Sequence, residues 1–281
     1  MGTDKNLFIK EYFKDKDKIY KDKKIDKNLK RMADELYSEA KFLSDPKKSY
    51  EKAMEAYEIY PLDYQFKSFA ISKLIDNEEK EIEYKKLIDE IEKSIVDSME
   101  GLFIFYEENE IYSERFKNLK FKYIITLIKN KKDQEALQEL ILFNTRYSYL
   151  DFKTKHLVLN LCLILWKKEL FVSEYNSIIG KENILYKLPF SFLLFKNNQE
   201  EKSKDEIIRI NQLNHYICDL IINLDNEDIK KEVRDCSPRF RISSREEALY
   251  SLKYFIDLYN DVEFKNFVKE IRGNVWKNYQ F

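Results

Sequence analysis

Four glycines and four prolines are all that 281 residues contain, and no other feature narrows the possible folds as far. Tight turns between strands need residues that accept positive φ or a fixed kink, so a chain this poor in both has little scope for hairpins or glycine-rich nucleotide-binding turns. What recurs instead is apolar side chains at three- and four-residue steps. Leu29, Ala33, Leu36, Tyr37 and Ala40 fall on one helical face, and comparable spacing continues almost to Phe281. The fold class expected is all-α, and a chain of this length can bury a core without disulfide or metal staples.

The clearest stretch runs from Lys30 to Asp63. Asp45 followed by Pro46 reads as an N-cap with proline at the first helical position, where its missing N–H is no loss. The helix it starts presents Ala53, Ala56 and Tyr57 and stops before Pro61. Further pairs are expected at Tyr64–Ile75 with Glu78–Val96, and at Arg115–Lys129 with Asp133–Phe143, where Asp133 serves as a cap. Another pairs Asp151–Lys168 with Leu170–Ile179 and ends at Gly180, which accepts positive φ. Pro189 lies in an apolar stretch, and Gln199–Asn223 reads as one long helix. Ser243 and Ser244 precede Glu246 and Glu247 at capping-box spacing, so a helix should begin at Arg245 with Ala248, Leu252, Phe255 and Tyr259 inward. A final helix carries Phe264, Phe267, Val268 and Ile271. Residues 97–114 read either as a buried helical turn or as an insertion against a groove.

Taking Lys30 as the first position of a unit of about 34 residues places Leu36, Ala56 and Pro61 at three sites favoured by tetratricopeptide repeats. The pairs counted from Lys117 keep that length. The chain resembles this family, although Tyr37, Ser49 and Ala53 depart from its side-chain pattern. The resemblance implies a right-handed stack of antiparallel helix pairs, a TPR-like α-solenoid, whose concave face holds a peptide or protein partner. Relatives that grip a C-terminal carboxylate use Lys and Asn where this chain has Asp34 and Ser38, so that clamp is not implied. The expected organisation is a polar arm or docking helix at 1–26, a repeat domain at 27–235 and capping helices at 236–281.

A net charge of −1 gives no general attraction to nucleic acid or to an anionic membrane. Charge is uneven only locally: residues 1–30 hold ten lysines against six acids, and residues 71–100 hold five against ten. The longest apolar run, Leu157–Trp166, is interrupted by Asn160 and is too short to span a bilayer, and Met1–Lys10 lacks a signal-peptide core. Cys162, Cys218 and Cys236 stand at wide spacings without a CxxC pair, as reduced thiols in a cytoplasm would.

No glycine-rich phosphate loop occurs, and neither cofactor nor metal is expected. His215, three residues before Cys218, would share a helical face with it, and the pair could bind a metal or act as a base beside a thiol. No second ligand pair accompanies it. Paired acids such as Glu78 and Glu79 read as solvated faces. Catalysis is therefore not expected. Arginine use is less even: of nine arginines against 41 lysines, Arg234, Arg239, Arg241 and Arg245 fall within twelve residues. With Ser243 and Ser244 at a helix N-terminus they form a candidate anion site for a phosphorylated small molecule or nucleic acid. The alternative is that they pair with neighbouring acids and pin the last helices. The first expectation is a scaffold for protein or peptide binding; an effector using the arginine loop is the second.

Overall fold

The computed structural model describes residues 27–61, 63–98, 110–146 and 152–278, and every regular element among them is an α-helix. The arm expected at 1–26, most of the 97–114 segment and Asp151 lie outside the described residues. The chain divides into two compact units, Met1–Asn130 and Lys131–Phe281.

The first unit contains α1 (Lys27–Phe42), α2 (Pro46–Ile59), α3 (Gln65–Lys73), α4 (Asn77–Ser98) and α5 (Glu110–Lys129). Each packs chiefly on its neighbour in sequence: α1 on α2, α2 on α3, α3 on α4 and α4 on α5. Asp45 caps α2 as its sequence suggests, accepting from Lys47 N at 2.9 Å ahead of Pro46. Small side chains set the close approach: Ala40, Ala53 and Ala70, one from each of three helices, form a single buried cluster. Ser49, also buried, donates from Oγ to Ala40 O at 2.7 Å. The departures from the repeat pattern at Ser49 and Ala53 thus serve a tight helix crossing. At the next turn, Asp63 accepts from Gln65 N at 3.1 Å and pairs with Arg115 Nη1 at 3.0 Å, tying the start of α3 to α5.

The second unit contains α6 (Asp133–Arg146), α7 (Phe152–Ile164), α8 (Lys168–Asn176), α9 (Ile184–Lys196), α10 (Glu200–Leu213), α11 (Ile217–Ile222), α12 (Glu227–Asp235), α13 (Arg245–Leu252), α14 (Ile256–Tyr259) and α15 (Val262–Asn278). Its middle is α9, of which ten residues are buried. Helices α7, α10 and α13 all pack on it, while α15 packs on α10 and α11. In the stretch 236–281, α13 packs on α9, α11 and α12, and α15 packs on α10 and α11.

Pro189 sits inside α9, where it cannot donate to Leu185 O four residues back. A buried carbonyl left this way needs another donor. The ring of His156 on α7 supplies it, with Nδ1 at 2.8 Å from Leu185 O. That contact fixes the proton on Nδ1 and leaves Nε2, also buried, without a hydrogen-bond partner among the described residues. Asn160, one turn further along α7, donates to His156 O at 2.8 Å, and Tyr259 Oη donates to Asn160 Oδ1 at 2.5 Å. This polar chain joins α7, α9 and α14 through the core. Full burial holds the His156 pKa down at about 4, although the bond to Leu185 O acts in the opposite direction.

Several expected helices are corrected. Gln199–Asn223 is two helices, because Asn214 takes extended backbone with φ −154. Its side-chain amide donates to Ser244 O at 2.8 Å and Glu247 Oε2 at 3.1 Å, while its own oxygen accepts from Tyr216 N at 3.2 Å. Asparagine readily exchanges helix bonds for side-chain bonds of this kind. The helix from Arg245 ends at Leu252 instead of reaching Tyr259, because Tyr254 adopts φ 73; the four inward residues are still buried. Helix α7 stops at Ile164 instead of Lys168, for a reason given below. Asp133 is the first helical residue of α6 and not the residue before it.

Candidate functional site

Three chain turns in the second unit converge on an open cleft of about 440 Å³. The first is the end of α7. Trp166 N donates to Leu163 O at 3.1 Å and Lys167 N donates to Cys162 O at 2.8 Å, the paired bonds of a Schellman stop. Glycine usually fills the left-handed position of that stop, yet here Trp166 holds it with φ 53. After α9 the same pair of bonds recurs at Asn198, a residue that tolerates φ 58 far better. The second turn, between α13 and α14, places Tyr254 at φ 73, and the third, before α6, places Lys131 at φ 58. Trp166, Tyr254 and Lys131 all line the cleft. Each left-handed non-glycine residue costs on the order of 1–3 kcal/mol, and such residues gather at ligand sites.

Aromatic rings make the walls. Phe192 from α9 and Phe255 line the cleft beside Trp166 and Tyr254. Behind them lies the polar chain of the core: Phe255 meets the His156 ring edge-on at 5.9 Å, and Phe192 meets Tyr259 edge-on at 5.7 Å. The cleft floor is thereby fixed in place. Burial first, and Cys236 second, push the Tyr254 phenol up to about 12.

Charged groups make the rim. Lys131 Nζ pairs with Asp257 at 2.7 Å, and Lys196 Nζ pairs with Asp261 at 2.7 Å and Glu263 at 3.4 Å. Burial alone would lower the Lys196 pKa, but these two carboxylates raise it. Asp133 is different. It lines the cleft without an ion pair or side-chain hydrogen bond among the described residues; burial raises its pKa while Lys131 acts to lower it. Lys168 stands outside the lining with its ammonium 4.3 Å from the centre of the Trp166 ring.

The arginine loop has another geometry. Arg245 Nη2 pairs with Glu232 at 2.6 Å. Ser243, at φ 62, donates from its N–H to Glu247 Oε2 at 2.7 Å, and Ser244 Oγ accepts from Glu247 N at 3.2 Å. The capping serine and the two glutamates expected from the sequence are therefore in place, and they occupy the start of α13 themselves. The Glu246 carboxyl is held below its usual range by its own backbone N–H, then by Ser244, with Arg245 and Arg241 adding to the effect against burial. Arg234, Arg239 and Arg241 are exposed and form no ion pair among the described residues. Lys253 Nζ donates to Cys236 O, closing the loop against α13.

His215 and Cys218 do not meet as a pair. Asn214 ends α10 just before His215, which is exposed and meets the Tyr216 ring at a tilt with centroids 3.9 Å apart, whereas Cys218 is buried in α11. Burial pushes the Cys218 and Cys162 thiols up to about 12, too high for a thiolate near neutral pH. Among the described residues no group of His, Cys, Asp and Glu could hold a metal, and no helix is long and apolar enough to cross a membrane.

The residues of the cleft come from four separate stretches of the chain, so no local pattern in the sequence marks it. The nearest signal is Trp166, one of two tryptophans, closing an apolar run immediately before Lys167 and Lys168. Compared with protein-family models, curated protein sequences and solved structures, the chain matches none.

Proposed function

We propose that the protein is a non-catalytic binding scaffold of helix pairs that engages a protein or peptide partner through the cleft of its second unit. The carrying observation is that Trp166, Tyr254 and Lys131, all with left-handed backbone, line one aromatic-walled cleft. Its volume suits a few side chains of a partner, and its mixture of rings with a few polar groups is the usual makeup of a ligand site. The nearest-neighbour packing of α1 to α5 supports a TPR-like, right-handed stacking of pairs in the first unit. Free buried cysteines fit a reducing, cytoplasmic setting. The enclosed His156 and the raised thiols offer no group poised for proton transfer near neutral pH.

Selection of a random displayed peptide library on the immobilised full chain tests the proposal. Enrichment of a peptide family that Trp166→Ala fails to retain is the expected result. No enrichment on the native chain would refute the scaffold.

A second reading rests on the exposed guanidinium groups of Arg239 and Arg241, which leave the arginine loop able to meet a phosphorylated small molecule or nucleic acid. Thermal-shift measurements with nucleotides distinguish it: a stabilisation lost in the Arg239→Ala, Arg241→Ala double variant supports the loop, and no shift removes it.

A further inference from the structure

Aromatic walls alone would take an apolar side chain, but the charges in this cleft are not balanced. Five ionisable side chains with formal charge at neutral pH line it: Asp133, Asp257 and Asp261 against Lys131 and Lys196. Asp257 and Asp261 are each in contact with one of those lysines, while Lys131 acts on Asp133 only from a distance beyond an ion pair. Asp133 is left over, partly withdrawn from water and unpaired among the described residues. A carboxylate in that condition gains more from an incoming cation than a fully solvated one does.

The rings favour the same charge. Their negative faces attract ammonium and guanidinium groups, and the protein's own lysines show it here: Lys168 stands 4.3 Å over Trp166, and Lys196 stands 5.8 Å from Phe192. Lys and Arg also carry long hydrocarbon stems that lie well on aromatic surface while the charged head reaches a polar group. An acidic side chain would meet Asp133 without compensation, and a neutral apolar one would leave it buried further and still unpaired.

We propose that this cleft is a receptor for a basic side chain, Lys or Arg, of a partner polypeptide, with its stem along Trp166 and Tyr254 and its cationic head against Asp133. The assignment rests on the scaffold reading above and names the chemistry of the partner that reading requires. The turns at Trp166 and Tyr254 hold the two rings ready before the partner arrives, so little ordering accompanies binding.

The test uses the full chain and a fluorescein-labelled decapeptide of alternating lysine and serine, followed by fluorescence polarisation at low salt. Parallel titrations use the same peptide with acetylated lysines and one with glutamate in place of lysine. The lysine peptide should bind, the other two should not, and Asp133→Asn should weaken binding by about ten- to a hundred-fold, the range for loss of a charged hydrogen bond. Asp133→Asn changes one surface carboxylate to its isosteric amide, and an unchanged melting curve would confirm that its fold is retained. Equal binding of the acetylated peptide, or unchanged affinity in Asp133→Asn, overturns the proposal. The library selection separates the two levels: enriched peptides without Lys or Arg that still need Trp166 would overturn the basic side chain and leave the scaffold standing. A library that yields nothing overturns both.

Discussion

The two units solve the same packing problem differently. In the first, alanines and a serine let consecutive helices close on one another, so the main helix contacts are between neighbours in sequence. In the second, one helix is enclosed by others from distant parts of the chain, and polar groups go into the core with it. Local stacking carries few buried polar groups and little backbone strain. Enclosure around α9 brings a buried lysine, a buried histidine and left-handed aromatics, and the cleft lies beside them. The features that raise the cost of folding are concentrated in the unit to which binding is assigned.

The sharpest way to break this contrast is Lys187→Met. Lys187, almost fully buried in α9, pairs with Glu206 at 3.1 Å and Glu182 at 3.1 Å. Removing it leaves the Glu206 carboxylate with only the more exposed Arg209, at 3.0 Å, and should cost about 3 kcal/mol or more in urea unfolding. A cost near zero would mean that Arg209 alone suffices as counter-ion to Glu206 and that the enclosure of α9 needs no buried cation.

Acid should act next most strongly. An unfolded histidine takes up its proton near pH 6.5, whereas His156 takes it up only at about 4. Between those values the unfolded chain binds more protons, so stability is complete above about pH 6.5 and falls as pH drops towards 4. The loss from this group is on the order of 3 kcal/mol. Chemical denaturation at a series of pH values should show the slope, and His156→Leu should flatten it in that window.

A smaller effect isolates the bond between His156 and Leu185. His156→Leu removes the donor to Leu185 O and should cost about 1–3 kcal/mol at neutral pH. Combined with Pro189→Ala, which restores an N–H to that carbonyl, the cost should shrink. Strict additivity in the double-mutant cycle would show that the histidine has no such role.

The smallest effect belongs to the first unit. Asp45→Ala removes the cap of α2 and should cost about 1 kcal/mol by thermal melting, a local loss in a local architecture. A loss as large as that of Lys187→Met would erase the distinction between the units.

Much of the helical framework could be read from residues in order. Asp45 with Pro46 and Ser244 with Glu247 are local signals with local causes, and the structure places a cap at each; Gly180 has the positive φ expected of it, but α8 already ends at Asn176, so the glycine lies in the loop beyond and stops no helix. What escaped has causes far away in sequence. Asn214 ends a helix because its amide bonds to Ser244 and Glu247 across some thirty residues. Pro189 is accommodated in a helix because His156 reaches its orphaned carbonyl from another element. Trp166 and Tyr254 carry no sequence mark of a left-handed backbone, since aromatic residues rarely adopt one. The cleft inherits this difficulty, because each of its walls depends on a tertiary contact. The arginine loop stood out by composition, yet its serines and Arg245 are engaged with the chain's own acids.

Hydrogen exchange read by mass spectrometry, with and without the lysine decapeptide, tests most directly whether binding resides in the enclosed unit. Added protection should appear in the segments around Lys131–Asp133, Leu163–Trp166 and Tyr254–Leu258, with α1 to α3 unchanged. Protection in α1 to α3 with none at those three segments would contradict the account.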